Sequence, residues 1–205
     1  MLFGKLFHTA IKTADLDATV RFYTEVLGMV VADRPPIGFP GAWLKPAQAG
    51  ADAIFHLYAG DAAKESDGSV QTGTAAIDHV SVVCQGYSSF KAQFEKYGLD
   101  YRENLVPGTP LWQLFIFDPN GVQLELTFHS AAEREPVPVI AEQRRYSARE
   151  RWFQPESEWI WYRAGAAWIC RPIRLTARCR RCLTCQPTTA KGRTWNGSRL
   201  SPKKI

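Results

Sequence analysis

The sequence predicts an α+β fold in which two paired βαβββ modules form a curved mixed sheet around a cleft, followed by an irregular C-terminal extension. Three observations predict it. Apolar residues follow a β, α, β, β, β order over residues 6–59 and again over 77–128. Side chains of similar character recur at near-constant offsets: His8 to His79 at 71, Gly28 to Gly98 at 70, and His56 to Glu125 at 69. Residue usage also shifts near Ser130, because residues 1–130 carry 9 Lys and Arg against 14 Asp and Glu, whereas residues 131–205 carry 16 against 6. A net charge of −5 therefore gives way to +10, and all four His precede the boundary.

In the first module, residues 6–11 read as a strand. Leu16, Val20, Tyr23 and Leu27 follow at helical 4, 3, 4 spacing, with Asp15 as N-cap and Gly28 as C-cap. Strand-like pieces near 29–34, 41–46 and 53–59 complete the unit, interrupted by the turn-rich run 34–41. In the second module a strand at 77–84 leads to a helix over 88–97, with Phe90, Phe94 and Tyr97 on one face and Gly98 closing it. Strands near 101–105, 111–117 and 121–128 follow, the last two joined by Asp118-Pro119-Asn120-Gly121.

Each module has a helix on one face of its sheet, so the other face must be covered or must line something. Strand alternation names the side chains on that other face. Val122, Leu124, Leu126 and Phe128 pack toward the helix, which sends Glu125 into the cleft. Val80 and Val82 leave His79 and Ser81 inward, Phe55 and Leu57 leave His56 and Tyr58 inward, and Ile11 opposes His8. Each His alone reads as a satisfied core or surface histidine. Imidazoles and a buried carboxylate at repeat-equivalent positions instead suit a divalent transition metal, and an inward carboxylate is costly without a partner.

The runs His8-Thr-Ala-Ile-Lys-Thr-Ala-Asp-Leu, Arg21-Phe22-Tyr23-Thr-Glu-Val-Leu27-Gly28-Met29, Asp78-His79-Val80 and Phe117-Asp118-Pro119-Asn120-Gly121-Val122-Gln123-Leu124-Glu125 carry a resemblance. Over residues 5–129 the chain resembles the vicinal oxygen chelate superfamily of glyoxalase I, methylmalonyl-CoA epimerase, extradiol dioxygenases and fosfomycin and bleomycin resistance proteins. The resemblance implies modules at about 5–60 and 76–129 within a metal-binding domain of residues 1–130, often in a homodimer. It places one divalent ion (Zn, Ni, Mn, Co or Fe(II)) on His8, His79 and Glu125, with His56 at the fourth position. It also implies a small substrate chelated through two vicinal oxygens, the metal serving as Lewis acid.

Three activities follow from the resemblance. The first is a glyoxalase-like lyase or isomerase with His56 and Glu125 as catalytic residues. Glyoxalase I has a Glu serving as ligand and proton-transfer base where this chain has His56, and imidazole titrates near neutrality. Asp78 stands where glyoxalase I usually has Gly or His. The second is an extradiol dioxygenase with a His-His-Glu iron(II) site, although Leu114-Phe115 replaces an aromatic-Tyr pair and no His lies between 80 and 128. The third is a non-enzymatic binding or resistance protein, members of which usually lose the ligands that are kept here. Phe39, Trp43, Trp112 and Phe115 are expected along the apolar part of the pocket, with Arg102 or Gln113 holding a polar end.

No run reaches the roughly 20 apolar residues of a membrane span. With one Cys before residue 130, the chain reads as a cytoplasmic protein. Residues 131–205 form an irregular Arg/Trp/Cys-rich extension resembling a non-conserved or out-of-frame sequence, expected to be largely disordered or loosely helical and without catalytic residues. Cys179-x-x-Cys182-x-x-Cys185 with Cys170 is a weak metal motif without His support. The Arg178–Arg181 run lacks a nucleic-acid-binding signature, so no nucleic-acid partner is expected.

Overall fold

The structure, a computed structural model, describes residues 4–150 together with Leu2 and Trp152. The cysteine motif, the Arg178–Arg181 run and the expected disorder of 153–205 therefore lie outside the described residues.

Both expected modules are present. The first runs β1 (Thr9–Lys12), α1 (Leu16–Arg21), β2 (Val30–Ala32), β3 (Gly41–Lys45) and β4 (Phe55–Tyr58). The second runs β5 (Val80–Cys84), α2 (Tyr87–Lys96), β6 (Arg102–Leu105), β7 (Leu111–Phe117) and β8 (Gln123–His129). The two four-stranded sheets have the matching orders β1-β4-β3-β2 and β5-β8-β7-β6. In each, the first and last strands run parallel and the remaining pairs antiparallel.

Local chemistry explains the helix ends. The Asp15 carboxylate accepts from the Ala18 N–H at 3.0 Å, which satisfies a donor that the first turn leaves free. After Arg21 the helix widens into a π-helical turn over Phe22–Val26. Gly28 and Gly98 then reverse the chain at φ +69° and +65°, backbone that favours glycine. The expected strand starts at residues 6 and 77 move to Thr9 and Val80. A strand exists only where it has a partner, and the ladders begin at Thr9–Phe55 and Val80–Leu124.

The helix-facing residues form one core that includes Phe22, Tyr23, Leu44 and Leu57 from the first module and Phe94, Leu114, Leu124 and Phe128 from the second. Polar contacts join the modules as well. Tyr23 O–H donates to Asp118 at 3.2 Å, Asn120 Nδ2 to Thr19 Oγ1 at 3.3 Å, and Gln93 Nε2 to the Glu25 carbonyl at 2.6 Å. The Phe-Tyr and Asp-Pro-Asn-Gly motifs therefore meet at the module junction.

At their outer sides β1 and β5 have no neighbouring strand among the described residues. Apolar side chains stand exposed on or beside them: Leu6 at 78%, Phe7 at 61%, Ile77 at 61% and Val83 at 87%. Unpaired edges and exposed apolar groups are features that a partner commonly covers. No helix among the described residues is long and apolar enough to cross a membrane.

Residues past Ser130 continue onto the second module. The Glu133 carboxylate accepts from the Gly86 and Tyr87 N–H groups, each at 3.0 Å, and so caps the N-terminus of α2, which has no side-chain cap from Gly86. Glu133→Ala should cost about 1 kcal/mol of stability. Thermal and urea melts of the full chain check this, with an unchanged midpoint as the contrary result.

Candidate functional site

The concave faces of the two sheets carry equivalent groups at equivalent positions. Ala10 lies opposite His56 across β1 and β4, as Ser81 lies opposite Glu125 across β5 and β8. Trp43 lies opposite His56, as Phe115 lies opposite Glu125. His8 and His79 sit one residue before β1 and β5, at the entrances of the strands and not within them.

On the first sheet the His8 and His56 rings stack with centroids 3.9 Å apart and planes inclined by 17°. Trp43 stacks on His56 at 4.2 Å and 7°. Burial of His56, followed by the nearby charge of His8, lowers its pKa below the ordinary histidine value, so its ring is neutral at pH 7. Buried polar atoms without a hydrogen-bond partner among the described residues gather here: His8 Nδ1, Trp43 Nε1 and Arg34 Nε. Such atoms are rare in interiors and point to a partner from outside the fold.

On the second sheet His79 Nε2 lies 2.9 Å from Glu125 Oε2, and His79 Nδ1 lies 2.7 Å from Asp78 Oδ1. The buried Glu125 carboxylate is oriented by the Ser81 hydroxyl at 2.8 Å and the Thr127 hydroxyl at 2.5 Å. Asp78 also accepts from Tyr146 O–H at 2.8 Å and Gln123 Nε2 at 3.1 Å. The hydrogen bonds from His79 and Tyr146 hold it below the usual carboxylate range.

The four expected ligands therefore fall into two pairs, His8 with His56 and His79 with Glu125. Among the described residues no group of three or more His, Cys, Asp or Glu comes close enough to hold a metal ion. Each pair by itself has the donor chemistry that a divalent transition ion takes. The unpartnered His8 Nδ1 and the neutral His56 ring fit that use, since an imidazole ligand must be unprotonated.

The expected pocket residues are placed less uniformly. Trp43 and Gln113 lie on the concave faces, and Gln113 accepts from Asn104 Nδ2 at 2.7 Å. Phe39 packs edge-on against Tyr58 beneath Arg34. Arg102 is paired with Asp100 at 2.7 Å and covered by Trp152. Phe115 is buried beneath Tyr146. Trp112 is corrected outright, because strand alternation turns it to the helix side, where it packs edge-on against Tyr87. Burial pushes the Cys84 thiol up to about 12, away from the thiolate form.

The profile of the Glyoxalase/Bleomycin resistance protein/Dioxygenase superfamily matches residues 5–126, more than half of the chain. The chain belongs to this superfamily. Its Arabidopsis thaliana relative "Glyoxylase I 4" is 27% identical over 145 residues, covering 69% of this chain and 79% of that protein. Similar solved structures include lactoylglutathione lyase from Agrobacterium tumefaciens, 20% identical, covering 62% of this chain and 95% of that one, at a TM-score of 0.45. Another is the fosfomycin resistance protein FosX from Listeria monocytogenes, 14% identical, covering 62% and 94%, at a TM-score of 0.46. The superfamily match covers both donor pairs but ends short of Tyr146, a contributor to the second half-site that no period or motif in the sequence marks.

Proposed function

We propose that this superfamily member is a metal-dependent lyase or isomerase of the glyoxalase type, acting on a small molecule that chelates through two vicinal oxygens. Its working form is a cytoplasmic homodimer, and the groups that hold the ion lie within residues 1–130. One divalent ion (Zn, Ni, Mn, Co or Fe(II)) is held by His8 and His56 of one copy with His79 and Glu125 of a second. The observation that carries this reading is the split of the donors into two incomplete pairs, each beside an open, apolar sheet edge. Joining β1 of one copy to β5 of another would cover both edges and bring the half-sites together.

When bound, the ion supplies Lewis acidity toward a chelated oxygen. The chain's own residues handle the proton. His56 is neutral at pH 7 and would accept one only once released from the ion, while Trp43 and His8 stack on its ring and hold its orientation. Glu125, fixed by Ser81 and Thr127, is the second candidate for proton transfer.

Protein purified without chelator should contain a stoichiometric divalent metal and elute at twice the chain mass. A metal-free monomer would instead favour the binding-protein reading. Oxygen consumption with a catechol by the iron(II)-loaded protein, undiminished in His56→Ala, would replace the lyase reading with ring cleavage.

A further inference from the structure

Beyond the superfamily match, residues 142–150 and Trp152 lie back across the second sheet. A short turn at Glu142–Arg144 leads to Arg145, which bridges to Glu103 in parallel, and the Tyr146 N–H donates to the Glu103 carbonyl at 2.9 Å. Arg144 pairs with Asp100 at 2.6 Å and lies over the Tyr101 ring at 4.2 Å. Further on, Trp152 meets Phe117 edge-on at 4.6 Å and carries the Arg102 guanidinium over its ring at 4.6 Å. Backbone, ionic and aromatic contacts thus strap this segment over the β6 side of the sheet.

The strap delivers one side chain to the half-site. The Tyr146 ring lies flat on Phe115 at 3.6 Å and 8°, and its hydroxyl reaches Asp78 at 2.8 Å. Asp78 is the carboxylate against His79 Nδ1, and the far nitrogen of that ring is the one beside Glu125. A carboxylate on the second ring nitrogen fixes how the ring points. A carboxylate that must do this needs fixing itself, and Asp78 is more than half exposed at its side chain. Gln123 supplies one restraint at 3.1 Å, and the strap supplies the shorter one.

We propose that Tyr146 is a positioning residue of the site: its hydroxyl holds Asp78 so that the His79 ring keeps the orientation that presents Nε2 beside Glu125, while its ring replaces Phe115 as the cleft wall. The inference rests on the metal-site reading above for its consequence, but the juxtaposition of Tyr146, Asp78 and His79 exists within a single chain. The functional unit then extends past residue 146, beyond the segment that the superfamily profile matches.

The test uses the full-length chain as Tyr146→Phe, which removes the hydroxyl and keeps the stack, and as Tyr146→Ala, which removes both. Proton and nitrogen NMR of the metal-free protein should show the His79 Nδ1–H resonance held downfield in the parent, and shifted upfield or lost to exchange in both variants. Cobalt(II) titration by calorimetry should show affinity lowered about 10-fold in both. Full rescue of the His79 signal and of cobalt affinity by Phe would overturn the proposal, because a packing role alone would be restored by the ring. A parent protein that takes no cobalt(II) would count against the metal reading, leaving the His79 resonance to decide the role of Tyr146.

Discussion

Chains carrying His8→Ala with His56→Ala, and chains carrying His79→Ala with Glu125→Ala, should each lose cobalt(II) affinity by at least about 10³-fold, since each lacks half of the ligand set. Co-expressed through two affinity tags, the two defective chains should regain one ion per mixed dimer. The reason is geometric. In a dimer built from the first module of one copy and the second module of the other, all four substitutions fall into one site and the other site is intact. If each chain held its own ion, both sites of the mixed pair would be defective. A mixed dimer without cobalt(II) would therefore contradict a site shared between copies. A single-chain site would also have to bring together donors that fall into separate pairs here.

Asp118→Ala should destabilise the full chain by about 3–5 kcal/mol at pH 7. The carboxylate is fully buried at the module junction and accepts from four donors: Tyr23 O–H at 3.2 Å, Asn120 N–H at 2.8 Å, Asn120 Nδ2 at 3.0 Å and Val122 N–H at 2.8 Å. Truncation leaves all four in the interior without that acceptor. Burial outweighs these hydrogen bonds and pushes the Asp118 carboxyl up to about 6. A folded value raised above the unfolded value of about 3.9 means that the folded state holds the proton more tightly. The contribution of this group is therefore fully present below about pH 4 and is lost as pH rises through about 6. The loss is on the order of 3 kcal/mol. Urea melts from pH 4 to 7 should show that fall in the parent and not in Asp118→Asn. A loss under about 1 kcal/mol in Asp118→Ala would show that Asn120 and Thr19 join the modules without it.

Much of this molecule is legible in its residues. The offsets of 69 to 71 correspond to a structural repeat, because residues 71 apart, Ala10 and Ser81, occupy the same ladder position beside His56 and Glu125. Alternation separates His56, Glu125 and Ser81 from the core-facing Leu57, Leu124, Val80 and Val82, since successive strand residues must point to opposite faces. Capping chemistry placed Asp15, Gly28 and Gly98. The same local rules failed at Trp112, where an aromatic side chain on β7 was expected in the pocket although its parity points to the helix.

Periodicity and capping act over one or two turns of chain, so they reach as far as the two modules, their faces and the residue types offered to the cleft. They say nothing about which donors meet, which is why the separation of His8 and His56 from His79 and Glu125 emerged only from the packing of the modules through Tyr23, Asp118 and the shared core. Nor could they place Tyr146 on Phe115. That contact joins residues 31 apart, with no period between them, and it exists because Arg144, Arg145 and Trp152 find Asp100, Glu103 and Phe117 on a surface that only the folded sheet assembles.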